Sequence, residues 1–168
     1  MKKAFAPLLL LFLLGGCAGY QLGPATPGYL RQVHSIAVPT FTNTTLAPRI
    51  EVLVTSTVIK QFQQDGTFKI VNADVADATL KGEIVGVNRS PARSVRGNVL
   101  STTEFSLVMT VRYTLLGRDG NPLGAAGGAT GSTSFFVGQD VNTDERQALP
   151  LAAEQLARRL VSQLSEGW

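Results

Sequence analysis

Glu104-Phe105-Ser106-Leu107-Val108-Met109-Thr110-Val111-Arg112-Tyr113-Thr114-Leu115 is the stretch that decides the fold. Phe105, Leu107, Met109, Val111, Tyr113 and Leu115 fall at every second position, with Glu104, Ser106, Val108, Thr110, Arg112 and Thr114 between them. Successive side chains of a strand point to opposite faces, so this alternation describes a strand with one face in a core; a helix would scatter the same residues around its axis. Asp119-Gly120-Asn121-Pro122 supplies a turn, and a return strand belongs within Leu123 to Val137.

Working outward, strands are expected near Phe68 to Val71 and Thr79 to Asn88, the second carrying glycines that weaken it or mark a bulge. An earlier short strand runs through Ile36 and Val38 toward Phe41, closed by Asn43-Thr44-Thr45 as turn and helix cap. Pro48 fits the first turn of a helix whose Ile50, Leu53, Val54, Thr57, Val58 and Phe62 share one face, until Asp65-Gly66 stops it. A last helix is expected over Asp144 to Glu166, where Ala152, Leu156, Leu160 and Leu164 form an i, i+4 row and Pro150 marks a start or kink near the first turns. The order β-α-β-β-β-β-α predicts an α+β fold: an antiparallel or mixed sheet of four to five strands with two helices packed on one face. Gly124 to Ser134, on the return strand, is too small and polar to hold a sheet by side-chain packing. It reads as a mobile edge, or else as a surface on which something packs.

The N-terminus has the layout of an export signal. Lys2 and Lys3 precede the uncharged, mostly apolar Ala4 to Leu14. Eleven helical residues cover about 16 Å, roughly half a bilayer core of ~30 Å, which argues against a permanent membrane span. Leu14-Gly15-Gly16-Cys17 resembles the lipobox of bacterial lipoproteins. That resemblance implies a diacylglyceryl group on the Cys17 thiol, cleavage before it and acylation of the new amino terminus. Several acyl chains hold a membrane where one binds only marginally, each methylene contributing ~0.8 kcal/mol. Ala18 stands where many such lipoproteins carry an aspartate that retains them at the inner membrane, so the resemblance favours the outer one. The expected organisation is a signal peptide over 1–16, a lipidated N-terminus and short tether over 17–32, and a single α+β domain over 33–168. From Cys17 to Val33 the chain averages only ~20 to 25 Å as a flexible coil, keeping the domain near its membrane.

Composition narrows the function. Without Lys2 and Lys3 the 15 basic residues become 13 against 12 acidic ones, so the formal charge falls from +3 to +1 and no strongly basic face argues for nucleic acid. Cys17 is the single cysteine, which leaves no disulfide and no thiol nucleophile after lipidation. His34 is the single histidine, beside Ser35-Ile36-Ala37-Val38, and reads as a strand-edge residue without partners for a zinc site. Asp74 and Asp77 read as turn and strand-entry chemistry rather than an acid–base pair. No enzyme signature, no metal site and no cofactor beyond the covalent lipid on Cys17 are expected.

Several segments together resemble the LptE family of lipopolysaccharide-assembly lipoproteins. They are Gly19-Tyr20-Gln21-Leu22, then Ile36-Ala37-Val38-Pro39-Thr40-Phe41-Thr42-Asn43-Thr44-Thr45, then Pro48-Arg49-Ile50-Glu51, and later Ala76-Asp77-Ala78-Thr79-Leu80-Lys81-Gly82-Glu83-Ile84, with the C-terminal amphipathic helix. The resemblance implies a lipid-anchored protein on the periplasmic face of the outer membrane. Its partners would be a large β-barrel like LptD, in which it sits as a plug, and lipopolysaccharide, which the pair inserts into the outer leaflet. Some members of that family contact lipopolysaccharide through basic residues, and Arg89, Arg93 and Arg96 form a candidate cluster in the turn-rich Asn88 to Asn98. A planar guanidinium suits bidentate pairing with lipid A phosphates. Two other readings compete: a lipoprotein activator of a peptidoglycan synthase, like LpoB, and a lipid-anchored periplasmic hydrolase. The first calls for a longer tether, the second for a nucleophile motif.

Overall fold

The computed structural model describes residues 26–95, 98–138 and 140–167, with the backbone alone at 94–95 and 98–103. Cys17 and Arg96 lie outside the described residues. After a 3-10 turn at Gly28–Leu30 come β1 (Ser35–Ala37), β2 (Thr42–Asn43), α1 (Ile50–Asp65), β3 (Lys69–Ile70), β4 (Ala78–Val95), β5 (Asn98–Gly117), β6 (Gly127–Phe136) and α2 (Val141–Ser165). The fold is α+β, with one mixed sheet in the order β3-β1-β4-β5-β6 and β2 pairing beside β4. That makes six strands, one more than the alternation predicts, because Pro39 has no amide hydrogen to continue a ladder and the chain re-enters the sheet only at Thr42.

The mixture of directions follows from the connections. The crossover through α1 brings β3 back parallel to β1, with Ser35 opposite Lys69. β4, β5 and β6 follow one another in the sheet and pair antiparallel. In the turn after β5, Gly120 takes φ +78° and the Asp119 carboxylate accepts from the Asn121 amide at 3.1 Å. The β5 alternation holds: Leu107, Met109, Val111, Tyr113 and Leu115 are buried, on the same face as Leu80 and Ile84 of β4, and Phe105 is partly buried against the same core.

Both helices close over this apolar face. Val54, Val58 and Phe62 of α1 and Leu156, Leu160 and Leu164 of α2 join one core with the sheet, and Leu30 and Val33 seal it from the N-terminal side. Thr55 Oγ1 accepts the Phe41 amide at 3.0 Å, tying the β1–β2 segment to α1. α1 begins at Ile50 rather than around Pro48, with Arg49 at its N-cap in the left-handed region at φ 59°. Gly66, at φ 76°, closes it by donating its amide to the Phe62 carbonyl at 3.0 Å. α2 starts three residues earlier than expected because the Asp140 carboxylate accepts the Asn142 amide at 3.0 Å, a side-chain cap. Pro150 therefore lies well inside α2, not at its first turns.

The glycine-rich strand is not a loose edge. Its core-facing positions carry Gly127, Ala129, Gly131, Thr133 and Phe135, opposite the buried residues of β5. A Cβ on Gly131 would stand 2.0 Å from the Ala152 carbonyl oxygen and 2.5 Å from the Leu156 amide nitrogen, so the backbone of α2 rests on that glycine. The Tyr113 ring lies over Gly127, and the Phe41 ring likewise covers Gly82. The small residues are the seat of α2 and of two aromatic rings.

Candidate functional site: the basic hairpin and the polar sheet face

β4 and β5 hold 18 and 20 residues, about 60 Å of paired strand, while most strands run 5 to 6 residues. Their neighbours support only the first half. β1 and β2 accompany β4 no further than Ile84, and β6 accompanies β5 from Tyr113 to Glu104. Beyond Glu104 the two strands pair, among the described residues, with each other alone.

Two of the three arginines expected in a turn-rich link, Arg89 and Arg93, stand on this hairpin. Asn88 to Val95 belongs to β4, and Arg89 and Arg93 are paired in register with Leu107 and Glu104. Pro91 signals a break in sequence but is tolerated here, because this half of β4 has no strand on its other side to receive an amide. The register shifts between Ile84 and Gly86 and around Arg93 are bulges that re-aim the side chains beyond them.

Arg89 projects to the core-facing side. Its guanidinium pairs with Glu145 of α2 and lies 4.9 Å from the centre of the Phe105 ring, while a third of the side chain stays in solvent. Phe105 in turn packs on Phe135 at 5.8 Å. Arg89 thus ties the start of α2 to the hairpin. Arg93 is 72% exposed and pairs with Glu104 at 3.7 Å, a long contact in a screened position.

On the opposite face the sheet is polar. Lys81, Glu83, Arg112, Thr114, Thr42 and Gly128 line an open cleft of about 670 Å³, with Glu83 directly across from Arg112. Lys81 and Glu83 lie in the Ala76 to Ile84 segment that carries the family resemblance, but nothing in that segment marks them as a site. Their signal was alternation with Leu80, Gly82 and Ile84, visible once a strand is assigned there.

The remaining candidates resolve into structure. The Asp77 carboxylate accepts from Ser35 Oγ at 2.8 Å and from the Ser35 and His34 amides at 3.0 and 3.1 Å; Arg118 donates to its other oxygen at 3.1 Å. These bonds, led by the Ser35 hydroxyl, hold the Asp77 carboxyl below its ordinary value. Asp77 fastens the start of β1 to the start of β4 and is not paired with Asp74. Burial pushes the Tyr113 hydroxyl up to about 12, and it donates to Gln163 at 2.9 Å. Among the described residues no three His, Cys, Asp or Glu side chains gather as a metal site, and no helix is long and apolar enough to cross a membrane.

A family model described as "LptE: Lipopolysaccharide-assembly" matches residues 33–164. No curated protein matches the chain in sequence. Among solved structures, the PelC dodecamer from Paraburkholderia phytofirmans is similar, at 16% identity over 87% of this chain and 97% of that one, with a TM-score of 0.53. A minor lipoprotein from Acinetobacter baumannii is 16% identical over 80% and 94% of the two chains, with a TM-score of 0.54. A hypothetical protein from Chlamydia trachomatis is 11% identical over 78% and 95%, with a TM-score of 0.56. At these identities the likeness is one of fold.

Proposed function

Because the chain belongs to the LptE lipopolysaccharide-assembly family, we propose that it works as the plug and assembly partner of an LptD-like outer-membrane β-barrel, anchored through lipid on Cys17. The family match over residues 33–164 carries this reading. A plug has to present polar surface to the polar interior of a barrel, and the sheet face with Lys81, Glu83, Arg112 and Thr114 is of that kind. No catalysed step is required: the contribution is to help the barrel fold and to guide lipopolysaccharide into the outer leaflet.

Within that role Arg89, Arg93 and Arg96 are the proposed lipopolysaccharide contacts. A lipid A phosphate would meet Arg93 from solvent and would compete with Glu104 for it. At Arg89 it would have to displace Glu145, whose carboxylate holds that guanidinium. Arg93 should therefore matter more for binding and Arg89 more for stability. Limiting synthesis of the protein in its own cells tests the role: surface lipopolysaccharide should fall, and an unchanged level contradicts it. Alanine at all three arginines in the purified mature chain should weaken lipopolysaccharide binding, and unchanged binding removes the arginine assignment alone.

A further inference from the structure

Among the described residues β6 is the outermost strand of the sheet, and its ten residues contain no charge and no proline, the usual protections of an open edge. In an antiparallel pair, alternate residues turn their amide and carbonyl away from the partner strand. On β6 these include Thr130 and Ser132, and side chains from α2 engage one backbone group of each. Arg159 donates to the Thr130 carbonyl at 2.8 Å. The Gln155 side-chain oxygen accepts from the Ser132 amide and, at 3.1 Å, from the Ser132 hydroxyl. Gln155 and Arg159 are one helical turn apart, flanking the row Ala152, Leu156 and Leu160 that seats α2 on Gly131. They place one acceptor and one donor on adjacent outward positions of the strand, as a neighbouring strand would.

We infer that the free edge of β6 is a strand-acceptor surface for the β6 of a second copy of this chain, held shut by Gln155 and Arg159. A second copy fits because an isologous contact brings the same edge to itself, and the strand's own residues carry no charge, the cation held against its edge being Arg159. The flank exposes two apolar side chains, Phe136 at 69% and Leu151 of α2 at 54%, in a cleft that also holds Ser134, Gln147 and Asp144. With both guards in place, a second strand would have to displace them before its own amide and carbonyl reach Ser132 and Thr130.

Light scattering of the mature full-length chain in detergent micelles, with hydrogen exchange over Gly128 to Ser134, tests this. Wild type should remain one chain per micelle. Q155A/R159A should associate at least roughly tenfold more strongly, as freed backbone groups pair across the new contact, with slower exchange over Gly128 to Ser134. Q155E/R159K, which keeps an acceptor and a donor, should stay monomeric. R158A, which alters a neighbouring exposed arginine, should do so too. A Q155A/R159A chain that unfolds cooperatively yet stays monomeric overturns the proposal, as does equal association of R158A. Should the double variant fail to fold, Q155A alone opens the Ser132 amide, and its remaining monomeric at the highest concentrations reached has the same force.

Discussion

At the scale of single residues, Gly131 separates packing from flexibility. An added methyl would meet the α2 backbone at 2.0 Å, where no side-chain motion relieves the clash. Gly131→Ala should cost at least about 1–3 kcal/mol in urea unfolding. Gly128→Ala, on the outer face and 3.6 Å from the nearest atom, should stay within about 0.5 kcal/mol of wild type. Equal effects would mean that α2 does not rest on the strand. Asp77 gives a pH signature. Its folded value lies below the ordinary 3.8, so the stability it contributes is present above that value and is lost as pH falls through the lower folded one. Asp77→Asn should melt below wild type at neutral pH, with the gap closing below about pH 4. Arg89→Ala removes an ion pair and a ring contact and should cost about 1 kcal/mol, while Arg93→Ala should leave the unfolding midpoint nearly unchanged.

At the scale of elements, what could be read locally came through. Six alternating apolar positions placed β5, and one apolar face with a terminal Asp-Gly placed α1 up to its last residue. What escaped depended on distant partners. Gly124 to Ser134 lacks packing side chains of its own because Ala152 and Leu156, some 20 residues on, fill the space above it. Pro91 suggested a link because nothing nearby says that this half of β4 borders no further strand. Arg89 was visible as a charge, but Glu145 as its partner was not, since 56 residues separate them. Pro150 sits inside α2, where it offers no amide to the helix ladder. Pro150→Ala should raise stability, by up to about 3 kcal/mol, provided the helix keeps its seat on β6. An unchanged urea midpoint would show that the helix has already adapted to the proline.

At the scale of the whole molecule, the closed core leaves the polar outer face of the sheet and the far half of the β4–β5 hairpin, which no other strand supports among the described residues. A two-stranded arm alone is marginally stable in water. Such an arm gains most from a partner. That suits a protein whose family works in lipopolysaccharide assembly, and under the proposed partnership the sheet face and the arm are the regions that would meet a barrel. Mild-detergent purification of the C-terminally tagged, full-length protein from its native membranes tests the proposed barrel partnership. A large outer-membrane β-barrel should be recovered with it at close to one copy per chain. Recovery of the protein alone, or with a peptidoglycan synthase in place of the barrel, would contradict it.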